Sequence, residues 1–154
     1  MGIKQAVMGT AAQFMIERPA KGKSYGDWAT ELERTGSAVE ARVAAAKDPE
    51  AAAKLRHITG IERWGQSRLR VLLGSPFVRD EYDAYQPAAD LTLADQLAAF
   101  HTTRQETVEL ARTLAQRDIP YTATVEHNDF GALTARGWLS YLSTHADIES
   151  KRIK

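Results

Sequence analysis

Apolar residues recur at spacings of three and four along four stretches of this chain, and each stretch is bounded by residues that start or stop helices. The first runs from Trp28 to about Lys47, with Asp27 placed to cap the free amides of its first turn. The second opens at Asp48-Pro49-Glu50, where a capping Asp, a proline at the first helical position and a glutamate favoured by the helix dipole follow one another. It carries Leu55, Ile58, Ile61, Leu69 and Leu72 before Gly74-Ser75-Pro76 stops it. Thr92 opens the third helix in a near capping box with Asp95, and Leu93, Leu97, Phe100, Arg104, Val108, Ala111 and Leu114 share its inward stripe up to Arg117-Asp118-Ile119-Pro120. Thr134 caps a fourth, in which Trp138, Leu142, His145, Glu149 and Arg152 fall on one face.

What lies outside these stretches has little periodicity. Residues 1–26 contain Pro19, Gly22 and Gly26 and read as an irregular lead-in with a short helix near Lys4 to Ile16. Tyr121-Thr122-Ala123-Thr124-Val125 is rich in strand-forming residues, but no comparable partner is evident, so it reads as an extended connection. The expected fold is therefore all-α: a four-helix bundle over residues 27–154, preceded by the lead-in. Helices of roughly 20 to 25 residues have the length scale of a bundle.

Composition narrows the function classes. At 154 residues with 44% hydrophobic and 26% charged positions, the chain suffices for one core and lacks a membrane-length apolar run. Its N-terminus lacks the tripartite pattern of a secretory signal, so the expected location is cytoplasmic. Twenty basic residues balance twenty acidic ones with no block of either sign, which argues against nucleic acid as the main ligand. Cysteine is absent, so a metal must be held by His, Asp or Glu. No phosphate-cradling glycine loop, nucleophile elbow or catalytic carboxylate pair is present.

The chemistry-bearing candidates are His57 on the second helix and His145 with Glu149 on the fourth. His145 and Glu149 stand four residues apart on a stripe that begins with Trp138 and Leu142, so both point inward, where ionisable groups need partners. A divalent cation shared with His57 would satisfy them and keep a position open for water or substrate. Spacing alone leaves a plain hydrogen bond or a solvated face as the commoner outcome. Arg104 interrupts an apolar row and Glu62 lies on the second helix, so the two are candidates to pair across the core and to support the site or a substrate, although such an arginine more often snorkels at a helix edge. Trp64 and Trp138 are core residues first, with Trp64 a candidate pocket wall, and His101 and His127 read as surface or loop-anchoring residues.

Leu55-Arg56-His57-Ile58-Thr59-Gly60-Ile61-Glu62-Arg63-Trp64, the Gly131-Ala132-Leu133-Thr134 approach and Ser143-Thr144-His145-Ala146-Asp147-Ile148-Glu149 together resemble the DinB/YfiT-like family over roughly residues 27–153. That resemblance implies a four-helix bundle with a metal triad of one histidine on the second helix and two on the last. His57 and His145 match two of these positions, and Glu149 stands where the family has its third histidine. It also implies a divalent ion, Zn or Ni first and Fe as a further option, and a transferase using a low-molecular-weight thiol such as bacillithiol. A small-molecule or thiol substrate and a homodimer are the expected partners. The change to Glu149 favours an alternative from another class, a non-catalytic, stress-related binding bundle with a degenerate metal site.

Overall fold

The computed structural model describes residues 3–154, with side chains from residue 9 onward; Met1 and Gly2 of the expected lead-in lie outside the described residues. Helix predominates. The described residues form α1 (Ile3–Ala20), α2 (Tyr25–Ala45), α3 (Ala51–Val71), a 3-10 turn (Tyr82–Tyr85), α4 (Leu93–Gln116) and α5 (Ala135–Ser150), with a hairpin of β1 (Thr124–His127) and β2 (Gly131–Thr134) before the last helix. None of these helices is long and apolar enough to cross a membrane.

The helix starts follow the capping chemistry, with two displacements. Thr92 and Thr134 accept from the amides of Asp95 and Gly137, at 3.2 and 3.0 Å. In α2 the cap is Ser24 rather than Asp27. The Ser24 hydroxyl accepts from the Asp27 amide and the Asp27 carboxylate accepts from the Ser24 amide, each at 3.1 Å, so Asp27 closes a reciprocal box from inside the first turn. Asp48 likewise stands ahead of its helix: it accepts from the Glu50 amide at 2.9 Å and from Lys54 Nζ at 2.6 Å, and α3 begins at Ala51.

Two expectations are corrected. The helix expected near Lys4 to Ile16 runs further, as α1 from Ile3 to Ala20, and is docked on α5 and β2, while the last residues assigned to the lead-in, Tyr25 and Gly26, already belong to α2. Glu17 fastens it, accepting from the Thr134 amide at 2.8 Å and from the Thr134 hydroxyl at 2.7 Å, and Gln13 donates to the Ala132 carbonyl. The β-prone segment also has a partner. β1 pairs antiparallel with β2 in the register Thr124–Thr134, Val125–Leu133, Glu126–Ala132 and His127–Gly131, burying Val125 and Leu133 on one face. Gly131, at φ +74°, closes the three-residue loop between them, a backbone conformation that glycine adopts without strain.

α2 and α3 each pack against both α4 and α5. The interior divides into two apolar clusters, one around Trp28, Leu32, Trp64, Val108, Trp138 and Leu142, the other around Val39, Val43, Leu55, Ile58 and Phe100. Between members of the two clusters each long helix carries buried polar residues: Thr35 on α2, Glu62 on α3, Thr103, Arg104 and Thr107 on α4, and Ser143 on α5. These must be satisfied internally, because an unpaired polar group at such depth costs as much as a lost hydrogen bond or more.

Candidate functional site

Most of that polar belt is satisfied. Arg104 meets Glu62 in a two-pronged ion pair, Nε to Oε2 at 2.8 Å and Nη2 to Oε1 at 2.7 Å, with both side chains essentially out of water. Arg104 Nη1 donates to the Leu32 carbonyl and the Thr35 hydroxyl, each at 3.0 Å, and the Thr107 hydroxyl donates to Glu62 Oε2 at 2.9 Å. The pair exists, and its donors and acceptors are spent on one another and on Leu32, Thr35 and Thr107.

His57 and His145 stand differently. They sit half-buried on neighbouring helices with ring centroids 5.6 Å apart and planes tilted by 54°. Tyr82, from the 3-10 turn, meets the His57 ring edge-on at 5.0 Å. That contact depends on the loop lying close against α3. A β-carbon on Gly60 would come within 2.5 Å of Gln86 Cγ, and Arg56 Nε ties the same loop down by donating to the Pro87 carbonyl at 2.6 Å. Tyr141, one turn before His145, packs a tilted ring on it at 5.8 Å. Among the described residues no hydrogen bond reaches a ring nitrogen of either histidine or the Tyr141 hydroxyl.

Electrostatics keep His145 neutral. Burial, and then the neighbouring His57, push its pKa down to about 4, while Glu149 and Glu62 pull the other way. The Tyr141 phenol is raised, by burial first and then by Asp129 and Glu149. Glu149 is thus close enough for its charge to be felt at His145 and Tyr141. Its own carboxylate accepts from Arg152 Nη1 at 3.2 Å, one turn along and largely in solvent.

Each imidazole lines a different hollow. An open cleft of about 490 Å³ is lined by Glu50, Ala53, Lys54, His57, Glu149 and Arg152. His145 lines the other, a cavity of about 340 Å³ whose remaining walls are mostly apolar. The structure brings His57 and His145 together and sets Glu149 in the cleft beside His57. Among the described residues, however, no three His, Asp or Glu side chains converge as a ready-made ligand set.

The other candidates fall elsewhere. Trp64 lines neither hollow; it packs against Trp138 at 5.4 Å and donates from Nε1 to the Asp80 carbonyl at 3.1 Å. His101 is exposed and bonds Glu40 through Nδ1 at 2.7 Å. His127 does anchor its loop, its Nδ1 accepting from the amides of Asp129 and Phe130 at 3.0 and 3.3 Å, but it is no surface residue. It is 2% exposed, stacked on Phe130 at 4.3 Å and boxed by Trp64, Trp138 and Tyr141. Its Nε2 has no partner, and burial, then Arg68, push its pKa down to about 4.

Sequence reasoning missed Tyr82 and Tyr141. Tyr141 carried a usable signal, since it precedes His145 by four residues on the same helix. No sequence pattern brings Tyr82 to His57; only the folded loop does.

Compared with models of known protein families, with curated proteins and with solved structures, the chain matches none.

Proposed function

We propose that His57, His145 and Glu149 hold a divalent metal ion, Zn or Ni before Fe, and that the chain is a metal-dependent enzyme acting on a small molecule. In this reading α2–α5 form a four-helix bundle of the DinB/YfiT-like kind, with α1 and the hairpin added outside it. The observation that carries the proposal is the facing pair of half-buried imidazoles with no hydrogen-bond partner among the described residues. Metal–nitrogen bonds of about 2.0–2.1 Å at tetrahedral angles place two ligating imidazole centroids about 5 Å apart, close to the 5.6 Å seen here. A neutral His145 has the free lone pair that such a bond requires.

Glu149 has to leave Arg152 to join them. That contact is between residues three apart at the surface, a kind of pair worth about 0–1 kcal/mol, and so small a term does not hold a carboxylate away from a cation. An ion held by these residues would supply Lewis acidity toward a water or a thiol. The chain contributes the rest. Tyr82 and Tyr141 fix the planes of the two imidazoles, and Lys54 and Arg152 line the cleft where an anionic part of a substrate would settle. With no cysteine of its own, the protein would take any thiol chemistry from a low-molecular-weight cosubstrate.

The Glu149–Arg152 pair favours a second reading, a binding protein of the same architecture that has given up the ion. Titrating untagged protein with Zn²⁺, Ni²⁺ and Fe²⁺ against a chromophoric chelator separates the two. One ion per chain, lost in both His57→Ala and His145→Ala, is expected. Failure to take up any of the three metals leaves only the second reading standing.

A further inference from the structure

The cavity beside His145 differs from the cleft in its lining, which is mostly apolar rather than charged. Ala12, Met15, Ile16 and Pro19 of α1 line one side, Ser140, Tyr141, Thr144 and His145 of α5 line the other, and Phe130 of the hairpin loop adds to the lining. At about 340 Å³ it falls within the range of small-molecule sites, which are typically apolar with a few placed polar groups. The polar groups are all on α5. Of these, the Tyr141 hydroxyl and the His145 ring nitrogens take no hydrogen bond within the protein among the described residues. Water in such a space finds too few partners to be held well, whereas an apolar body gains by filling it.

The α1 wall is fixed rather than frayed. Glu17 holds it to the start of α5 through both the amide and the hydroxyl of Thr134, and Gln13 reaches the Ala132 carbonyl. Met15 lies at the mouth, largely in solvent, and its unbranched thioether can adapt to a ligand's shape. Phe130 and Tyr141 already meet edge to face at 5.9 Å, a geometry that accepts a further ring.

We infer that this cavity binds a small aromatic molecule of about one or two fused rings with one hydrogen-bonding group, the ring body lodged between α1 and α5 and the polar group at His145 and Tyr141. The binding stands without the metal proposal. Only the placement of the polar group next to the His57–His145 pair rests on that reading, as the route by which such a ligand would become a substrate.

N-Phenyl-1-naphthylamine, a neutral fluorophore with a single N–H, is the probe. Saturable one-to-one binding to metal-free wild-type protein is expected, with amide shift changes confined to residues 12–18, 130 and 140–145. Filling the space from opposite walls with Ala12→Trp and Thr144→Trp should weaken binding at least tenfold. His57→Ala, which abolishes metal uptake under the metal reading, should leave it unchanged, so the two proposals fail separately. The inference is overturned if the probe does not saturate, if the shifts fall elsewhere, if a folded filled variant binds like wild type, or if a dimer seated on α1 excludes the probe.

Discussion

Of the ionisable pairs inside this protein, Glu62–Arg104 lies deeper than His57–His145 and is the less promising for chemistry. Glu62 and Arg104 are almost wholly buried, yet their charges and hydrogen-bonding atoms are met by one another, by Thr35 and Thr107 and by the Leu32 carbonyl. His57 and His145 are only half-buried and face each other with their nitrogens unused by the described residues. Burial alone therefore does not mark a site. A satisfied network specifies the packing around it, whereas unsatisfied donors and acceptors at a cavity wall are what an ion or ligand can complete.

The contrast breaks first if the satisfied pair is not structural. Arg104→Met leaves the Glu62 carboxylate buried with the Thr107 hydroxyl as its remaining partner, and loss of one member of a buried pair costs about 3–5 kcal/mol. Urea unfolding should show that loss. Removing both charges with Glu62→Gln and Arg104→Met together should recover much of it, because the uncompensated charge is gone. A single variant within about 0.5 kcal/mol of wild type, the scatter of ordinary surface changes, would mean the pair is not what organises the core.

The unsatisfied pair should behave in the opposite way. His57→Ala removes no hydrogen bond and should cost the metal-free protein little. Its effect should appear on adding Zn²⁺: wild type gains about 2.7 kcal/mol at a free concentration one hundred times the dissociation constant, and the variant gains nothing. Thermal unfolding with and without the ion measures both. Equal stabilisation of wild type and variant would place the ion elsewhere.

How much of this contrast could be read from the chain depends on how local each signal is. Thr92 and Thr134 announced their helices because a cap is a matter of three residues. The start of α2 was misplaced because Asp27 has the right chemistry as the inner half of a box whose outer half is Ser24. The hairpin escaped because Gly131 and Ala132 are poor strand formers; what pairs the strands is the burial of Val125 against Leu133, and the one local clue was Asn128-Asp129-Phe130-Gly131 as a turn. The helix near Lys4 to Ile16 was legible, but its extent to Ala20 and its docking were not, because its apolar residues do not keep to one face, with Phe14 and Met15 outward and Ile16 and Ala20 against the core. The Glu62–Arg104 pair was legible only as one of two options, since a lone arginine in an apolar row either meets a buried partner or snorkels at the helix edge. The two hollows beside His57 and His145 arise from α1 and from the N-terminal end of α3, and no spacing rule encodes them.

A third histidine tests whether an unpartnered nitrogen always signals a ligand. His127 Nε2 is buried and alone, but it lines neither the cleft nor the apolar cavity. Its role should show in pH dependence instead. The folded pKa is depressed to about 4, below the ordinary value of 6.5, so between these limits the unfolded chain binds the extra proton. The associated stability is complete above pH 6.5 and is lost as pH falls toward 4. At about 1.36 kcal/mol per unit, and allowing for some entry of water on protonation, it amounts to about 2 kcal/mol. His145 adds to the same slope, so the informative quantity is the difference between wild type and His127→Gln, whose side-chain oxygen can still accept from the Asp129 and Phe130 amides. A variant with an unchanged slope across this window would remove His127 from the account.

The smallest expected effect tests the join between the two kinds of region, because Thr134 caps α5 and also holds α1, which supplies one wall of the cavity. Its hydroxyl accepts from the Gly137 amide to cap α5 and donates to Glu17 to hold α1. Thr134→Ala removes both bonds and should cost about 1 kcal/mol as a lost cap, plus whatever the α1 tether contributes. Thr134→Ser keeps the oxygen and should recover most of that. Glu17→Ala isolates the tether: it leaves the cap in place but frees α1, so it should change global stability little while weakening N-phenyl-1-naphthylamine binding as strongly as Thr134→Ala does. If Glu17→Ala binds the probe like wild type, α1 is held by its apolar contacts alone, and its polar fastening to the start of α5 has no part in shaping the cavity.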